Sequence, residues 1–264
     1  MFLSFTKSFD VDYKPRNVVA VDVNENKVTI ALFKDGALSN VYRVETGLGR
    51  IVAYSERRKR ITLGNSTKVR EVRKKLRRLR EGERKLDVLR KTAKFIERLA
   101  VENKAIVVVG NIGEKAKKRM EEDTSSKLRH RIYQWSVGKL IELLDEKPIH
   151  IVKVYERGTS SRDPFTSARI NRFNPLVIRT AVKGFKRVKV LKIVLRVAKV
   201  CGTALERDVV GAINIGLKYL STDGNLVALS STDIHETWVK LVNPCRGTTP
   251  LTELQLSTNT VKYC

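Results

Sequence analysis

Asp22 lies inside the apolar run Asn17 to Val23 (NVVAVDV), and Asp208 lies near the start of Glu206 to Leu220 (ERDVVGAINIGLKYL), far along the same chain. Aspartates gathered by folding suit one chemistry in particular, the hydrolysis of a phosphodiester. In-line attack uses two divalent ions about 3.5–4 Å apart, one activating water and one holding the leaving oxygen, and clustered carboxylates attract both. Magnesium fits such oxygen donors and keeps several of its waters. Thiol chemistry has much less to work with. Cys201, Cys245 and Cys264 are odd in number and far apart, so they supply neither a disulfide framework nor a CxxC metal site.

The partner of such chemistry is written in the charge. The 264 residues carry 53 Lys and Arg against 28 Asp and Glu, a formal net charge of +25, with 42% hydrophobic residues for a core. That much self-repulsion is a standing cost to the compact state and points to a polyanion, with nucleic acid first. The charge is concentrated: Ser55 to Arg90 holds fifteen Lys or Arg and five Asp or Glu. No apolar run approaches the roughly 20 residues that span a bilayer, and Met1 to Asp12 is too polar for a signal peptide. A cytoplasmic protein with no membrane partner is expected.

The elements that must position the two aspartates can be read from periodicity. Asn17 to Val23 is a short apolar strand, the polar turn Asn24-Glu25-Asn26 follows, and Lys27 to Phe33 alternates as a half-buried strand does. Asp35-Gly36 is a hairpin signal, so Ala37 to Val44 returns as a third strand. From Thr67 to Ala100, Val69, Val72, Leu76, Leu79, Leu86, Leu89, Ala93, Ile96 and Leu99 recur at helical steps, predicting one long basic helix bent at Gly82. Ala105 to Val109 (AIVVV) predicts a strand buried on both faces. Asp123 to about Glu146 predicts a helix with Leu128, Ile132, Trp135, Leu140 and Leu144 inward, ended by Pro148. Ile149 to Tyr155 alternates again and stops at Glu156-Arg157-Gly158, so strand, helix, strand requires a crossover and parallel neighbours. Gly158 to Gly202 suggests a small basic hairpin. Val209, Ala212, Ile213, Gly216, Leu217 and Leu220 share one side of a last helix, with Asp208 in its first turn. Beyond Ser221 the Ser/Thr-rich tail shows no clear period, and disorder is expected in parts of it.

Three antiparallel strands, helix, strand, helix, strand and a final helix is the element order of the ribonuclease H-like fold, an α/β class with a mixed sheet flanked by helices. Asp22 on the first strand and Asp208 on the last helix then supply two ligands to one site.

The residues also resemble a family. VAVDVNENKV around Asp22, Thr159-Ser160 after a strand, and CGTALERDVVGAINIGLKYL around Asp208 are similar to the three signature regions of TnpB-type (OrfB) transposon proteins, RNA-guided nucleases with a RuvC-like domain. The likeness covers residues 16–220, and Cys-Gly, Arg-Asp and Ala-Ile-Asn-Ile at that spacing are its most specific part. The resemblance implies a RuvC-like fold, magnesium-dependent cutting of DNA opposite a guide RNA, and therefore two Mg2+ ions, DNA and an RNA as partners.

Three departures qualify it. The family's second carboxylate is a Glu at the end of the fourth strand, where this chain has Gly110 and Asn111. Some relatives, the eukaryotic Fanzor proteins among them, carry it at the end of the next strand just before Thr-Ser. By that likeness Glu156 is the candidate third ligand, with Asp22 and Asp208 completing the catalytic and metal set; Glu114 is second choice, and the bland alternative is a strand-end glutamate paired with Arg157. The family's zinc ribbon is missing, since Pro164 and Ala198 stand where its CxxC pairs would lie and only Cys201 remains, so no structural zinc is expected. Such an insert must fold by apolar packing of Val188, Val190, Ile193, Leu195 and Val197. Finally, full-length relatives carry a sizeable region before the first aspartate, so an N-terminally truncated member is expected, either a nuclease half or a catalytically impaired nucleic-acid-binding remnant.

The expected organisation is a RuvC-like domain from residues 1–157 and 203–222, with a basic helical insertion over 55–100, a degenerate zinc-ribbon-like insert over 158–202 and a tail over 223–264. Phosphate contacts are expected from Arg57, Arg58, Lys59, Arg60, Arg70, Arg73, Lys74, Arg77 and Arg78 in the helical insertion, and from Arg157 and Arg162 after the candidate site.

Overall fold

The computed structural model describes residues 10–24, 26–48, 61, 69–111, 137–170, 172–173, 176–183, 186–193, 197–200, 203–221, 234–240 and 255–261. Strands β1 (Asn17–Val23), β2 (Lys27–Lys34) and β3 (Ala37–Glu45) form the expected meander. Its second turn is Asp35-Gly36, both residues at positive φ (49° and 80°), the conformation for which that pair is suited. Next come helices α1 (Val69–Leu79) and α2 (Glu81–Glu102), strand β4 (Ala105–Asn111), helix α3 (Val137–Asp145) and strand β5 (Ile151–Tyr155). A single 3-10 turn, Thr159–Ser161, leads to β6 (Arg172–Phe173), β7 (Leu176–Lys183), β8 (Lys186–Ile193), β9 (Val197–Val200) and β10 (Thr203–Glu206). Helix α4 (Arg207–Leu220) and strands β11 (Ile234–Lys240) and β12 (Gln255–Val261) complete the described elements.

The main sheet is seven-stranded and mixed, in the order β12-β11-β3-β2-β1-β4-β5. Pairing is antiparallel between β1 and β2 and between β2 and β3, and parallel between β1 and β4 and between β4 and β5. The α/β architecture read from the sequence is therefore present, with the crossover through α3 placing β5 beside β4. Smaller sheets are formed by β10-β9-β6 and by the β7-β8 hairpin. The apolar packing expected of Val188, Val190, Ile193, Leu195 and Val197 lies outside the described side chains.

Alternation along β1 sends its residues to two cores. Val19, Val21 and Val23 join Ile30, Leu32, Leu89, Ile96, Leu99, Leu140 and Leu144 under α2 and α3. Val18 and Ala20 join Ala31, Phe33, Val41, Val209, Ala212 and Ile213 under α4. Asp22 is next in the second series, so its side chain belongs to the α4 face. Gly216 lets α4 settle on Phe33, because a Cβ there would run into the ring. Every residue of α4 from Asp208 to Leu217 is buried. The sheet covers one side of the helix, and Phe165 and Ile170 from the segment after β5 join the same cluster.

Two expectations are corrected. The long helix divides at Arg80, which takes a left-handed conformation (φ 47°, ψ 37°) before α2 begins, so Gly82 is a residue inside α2 and not the bend. The part before the break has no buried residue, whereas α2 buries Leu89, Ala93, Phe95, Ile96 and Leu99; packing holds the second part and leaves the first on its own charge pattern. Leu220, expected on the inner side of α4, is 36% exposed. Within the tail, whose sequence shows no clear period, the described residues include two strands: β11 runs parallel to β3, and β12 runs antiparallel to β11. Thr237 of β11 is buried and accepts a hydrogen bond from Asn40 Nδ2 at 3.3 Å. No described helix is long and apolar enough to cross a membrane.

Candidate active site

The parallel strands β1, β4 and β5 end together, and the first turn of α4 arrives over those ends. Val21 pairs with Val109, which puts Asp22 beside Gly110, and Gly110 in turn pairs with Val154 on β5. The chain continues this ladder one residue past β5, where the Glu156 N–H donates to Asn111 O at 3.3 Å. Glu156 then turns its carboxylate back over Gly110, because a Cβ at Gly110 would strike that carboxylate and the Ile215 side chain. On the other side, a Cβ at Gly211 of α4 would lie 2.8 Å from Asp22 Oδ2. The two glycines thus leave the space that two carboxylates fill.

Asp22, Glu156 and Asp208 form one electrostatic group. The Asp22 carboxyl is held well above the ordinary aspartate range, first by loss of water around it, then by repulsion from Glu156 and from Asp208. The hydrogen bond from Asn24 Nδ2 to Asp22 Oδ2 (3.1 Å) and the positive charge of Arg207 offset only part of this. Asp208 is 9% exposed, and its Oδ2 stands 2.8 Å from Lys27 Nζ. Lys27 also pairs with Glu206, which in turn accepts from Arg43 Nη1.

The turn after β5 is tied to α4 at several points. The Thr159 hydroxyl donates to Glu156 O at 2.9 Å. Asn214 Nδ2, fully buried on α4, donates to Thr159 O at 2.5 Å and to Arg162 O at 2.7 Å. Arg207 Nη2 donates to Ser160 Oγ at 3.1 Å, and Lys218 Nζ to Tyr155 O at 2.7 Å. The helix that carries Asp208 therefore also fixes the backbone that carries Glu156.

The donor set fits a hard divalent cation in chemistry: carboxylate oxygens, mutually repelling and poorly solvated. Thr29, directly opposite Asp22 on β2, is buried with its hydroxyl lacking a hydrogen-bond partner, a polar group left over beside the carboxylates. As the side chains stand, no group of three or more His, Cys, Asp or Glu among the described residues is gathered closely enough to hold a metal ion.

Of the expected phosphate-binding residues, Arg70, Arg73, Lys74, Arg77 and Arg78 lie exposed on α1, and Arg157 and Arg162 lie exposed after β5. Arg162 Nη1 also donates to Ser167 O at 3.4 Å. Arg57, Arg58, Lys59 and Arg60 lie outside the described residues, as do Glu114, Trp135 and Cys201. His150 engages the Tyr13 carbonyl at 3.0 Å. Sequence reasoning missed Lys27, Glu206, Asn24, Asn214 and Arg43. Asn24 stands two residues after Asp22, just past the end of β1, a spacing that on an extended strand returns a side chain to the same face. Nothing in the sequence singles out Arg43.

No protein-family model matches the sequence, and no curated protein matches it. Among solved structures, the chain is similar to one described as a Cas12f1–sgRNA–target DNA complex, at TM-score 0.48 and 20% identity, covering 77% of this chain and 50% of that one. It is also similar to one described as a CRISPR-Cas12f ternary complex, at TM-score 0.46 and 18% identity, covering 80% of this chain and 40% of that one. This chain spans half the length of the first and less of the second.

Proposed function

We propose that this chain is a RuvC-like, ribonuclease H-like nuclease domain of the TnpB type, which hydrolyses DNA phosphodiesters opposite a guide RNA with Asp22, Glu156 and Asp208 as its carboxylates. The observation that carries the reading is the convergence of Asp22 with Glu156 and Asp208, from β1, the end of β5 and the start of α4, into one repelling group. Separate parts of the chain have been brought to a place where their charges repel one another around the buried Asp22, an arrangement that supports a functional site.

Asp22, Glu156 and Asp208 would together hold the divalent ions, Mg2+ being the cation that such oxygen donors suit. Divalent ions held there would supply the activation of water and the stabilisation of the leaving oxygen. The protein's own part is positional. Asn24 holds one Asp22 oxygen, and Asn214 and Thr159 fix the turn behind Glu156. Arg157 and Arg162, exposed beside Glu156, would clamp the phosphates of the strand being cut, and the exposed cations of α1 would hold nucleic-acid backbone at large. Chain composition supports a polyanionic partner independently of the site, at a net charge of +25.

A second reading, a nucleic-acid-binding remnant that no longer cuts, is favoured by the ammonium of Lys27 lying on Asp208 and by the open arrangement of the carboxylates. Cleavage of single-stranded and nicked DNA with Mg2+ separates the two, using the wild-type chain beside Asp22→Ala, Glu156→Ala, Glu114→Ala and Asp208→Ala. Loss of cleavage in the first, second and fourth variants supports the nuclease. Activity that survives Glu156→Ala and not Glu114→Ala moves the third ligand to Glu114, and binding without cleavage in every protein establishes the remnant.

A further inference from the structure

Lys27 is the residue that touches the candidate site without being called for by it. Its ammonium bridges Glu206 and Asp208, two residues apart across the junction of β10 and α4, and Arg43 approaches the same Glu206 from β3. These groups are largely shielded, the Lys27, Glu206 and Asp208 side chains being 20%, 28% and 12% exposed, so their interaction is screened less than a surface pair. Glu206 is thus supplied with two cations and Asp208 with one that it shares.

We infer that Lys27 is an ionic latch on the Asp208 side of the site: a built-in monovalent counter-charge that an incoming divalent cation must displace, with Glu206 as the residue that takes the ammonium over. The inference rests on the proposed cation site and says how its occupancy is regulated. A divalent ion cannot share an Asp208 oxygen with an ammonium 2.8 Å away without strong like-charge repulsion. The lysine stem has four rotatable bonds and a point-charge head, so it can withdraw while α4 stays where its buried face holds it. Glu206 already pairs with that ammonium, so withdrawal exchanges two carboxylate partners for one and leaves no cation stranded. Arg43, buried on β3, remains on Glu206 throughout. Latch and receiver therefore have opposite effects. Removing Lys27 frees Asp208, whereas removing the Glu206 charge leaves Lys27 to Asp208 alone.

The test is Mn2+ binding to the full chain, with free Mn2+ counted by electron paramagnetic resonance and each variant's fold checked by circular dichroism. Lys27→Met should bind Mn2+ about three- to tenfold more tightly than wild type, the factor that relief of a partly shielded like charge gives. Lys27→Arg, which keeps the charge, should stay near wild type. Glu206→Gln should bind more weakly, and that weakening should largely vanish in the Lys27→Met background, because the coupling runs through the ammonium. Binding by Lys27→Met that is no tighter than wild type overturns the latch. So does a Glu206→Gln effect of equal size with and without Lys27. Asp22→Asn distinguishes a failure of the latch from a failure of the site: if it binds Mn2+ as wild type does, the cation site itself is misplaced and the latch falls with it.

Discussion

The Glu156 carboxylate occupies the space that a side chain at Gly110 would need. Two residues on adjacent strands, one without a side chain and one reaching back from past its strand's end, fill a single position at the mouth of the sheet. Gly110 and Glu156 therefore form one unit and not two independent features.

That pairing can be measured. Gly110→Ala should cost about 1–3 kcal/mol, the range for a methyl group forced into an occupied space. The cost should be smaller in a Glu156→Ala background, with the Ile215 contact remaining. Urea unfolding of the four proteins gives the coupling energy; an equal cost in both backgrounds would show that Glu156 does not lie over Gly110.

The raised carboxyl of Asp22 makes stability depend on pH in a definite direction. A group held above its unfolded value binds its proton more readily when folded, so stability is greatest below the ordinary aspartate range and is lost as pH rises through the raised value. Asp22→Asn removes that penalty. It should be more stable than wild type at pH 7.5, with the gap closing as the pH falls through the raised value. Denaturant titrations at both pH values check it, and a variant that is less stable than wild type at pH 7.5 would mean the carboxylate is well compensated where it sits.

Asn214 ties Thr159 O and Arg162 O to α4 from a fully buried position. Asn214→Ala leaves both carbonyls without that donor and should cost about 2–3 kcal/mol. Its thermal unfolding midpoint should drop accordingly, and Glu156-dependent cation binding should weaken with it. An unchanged midpoint would show that the other contacts of the turn after β5 hold it without Asn214.

Nucleic-acid affinity should be steeply salt-dependent, because each phosphate neutralised releases counterions. Arg73→Glu with Arg77→Glu, on exposed positions of α1, should weaken binding of RNA and DNA alike and lower the slope of log affinity against log salt by about 1 for each phosphate that is no longer neutralised. Affinities measured across a salt series would show this; a slope untouched by both reversals moves the nucleic-acid-binding surface away from α1.

The parts of this fold legible in the sequence were those governed by local pattern. Alternation in Lys27 to Phe33, the Asp35-Gly36 turn and the buried run at β4 gave strands that the structure contains, although β2 is buried on both faces and not on one, and apolar spacing marked the inner side of α4. What escaped was decided by partners distant in the chain. The left-handed turn at Arg80 follows from α2 having a core to pack on and α1 having none. Strand β11 has an unremarkable sequence and is a strand because β3 offers it an open edge. At the site, Asp22 and Asp208 were visible as acids in apolar surroundings, and Glu156 entered through likeness to a family. Lys27, Glu206 and Arg43 were hidden because an ion-pair network among charged residues of a +25 chain has no pattern of its own.

The central claim is that Asp22, Glu156 and Asp208 hold divalent cations between them. Crystals of the chain soaked in Mn2+, with diffraction recorded on both sides of the manganese absorption edge, test it without reference to any substrate. The account predicts anomalous peaks among the three carboxylates, with Lys27 withdrawn from Asp208, and no such peak for Asp22→Asn. Peaks confined to other places, or a site that holds Lys27 on Asp208 at saturating Mn2+ with no metal beside it, would contradict it.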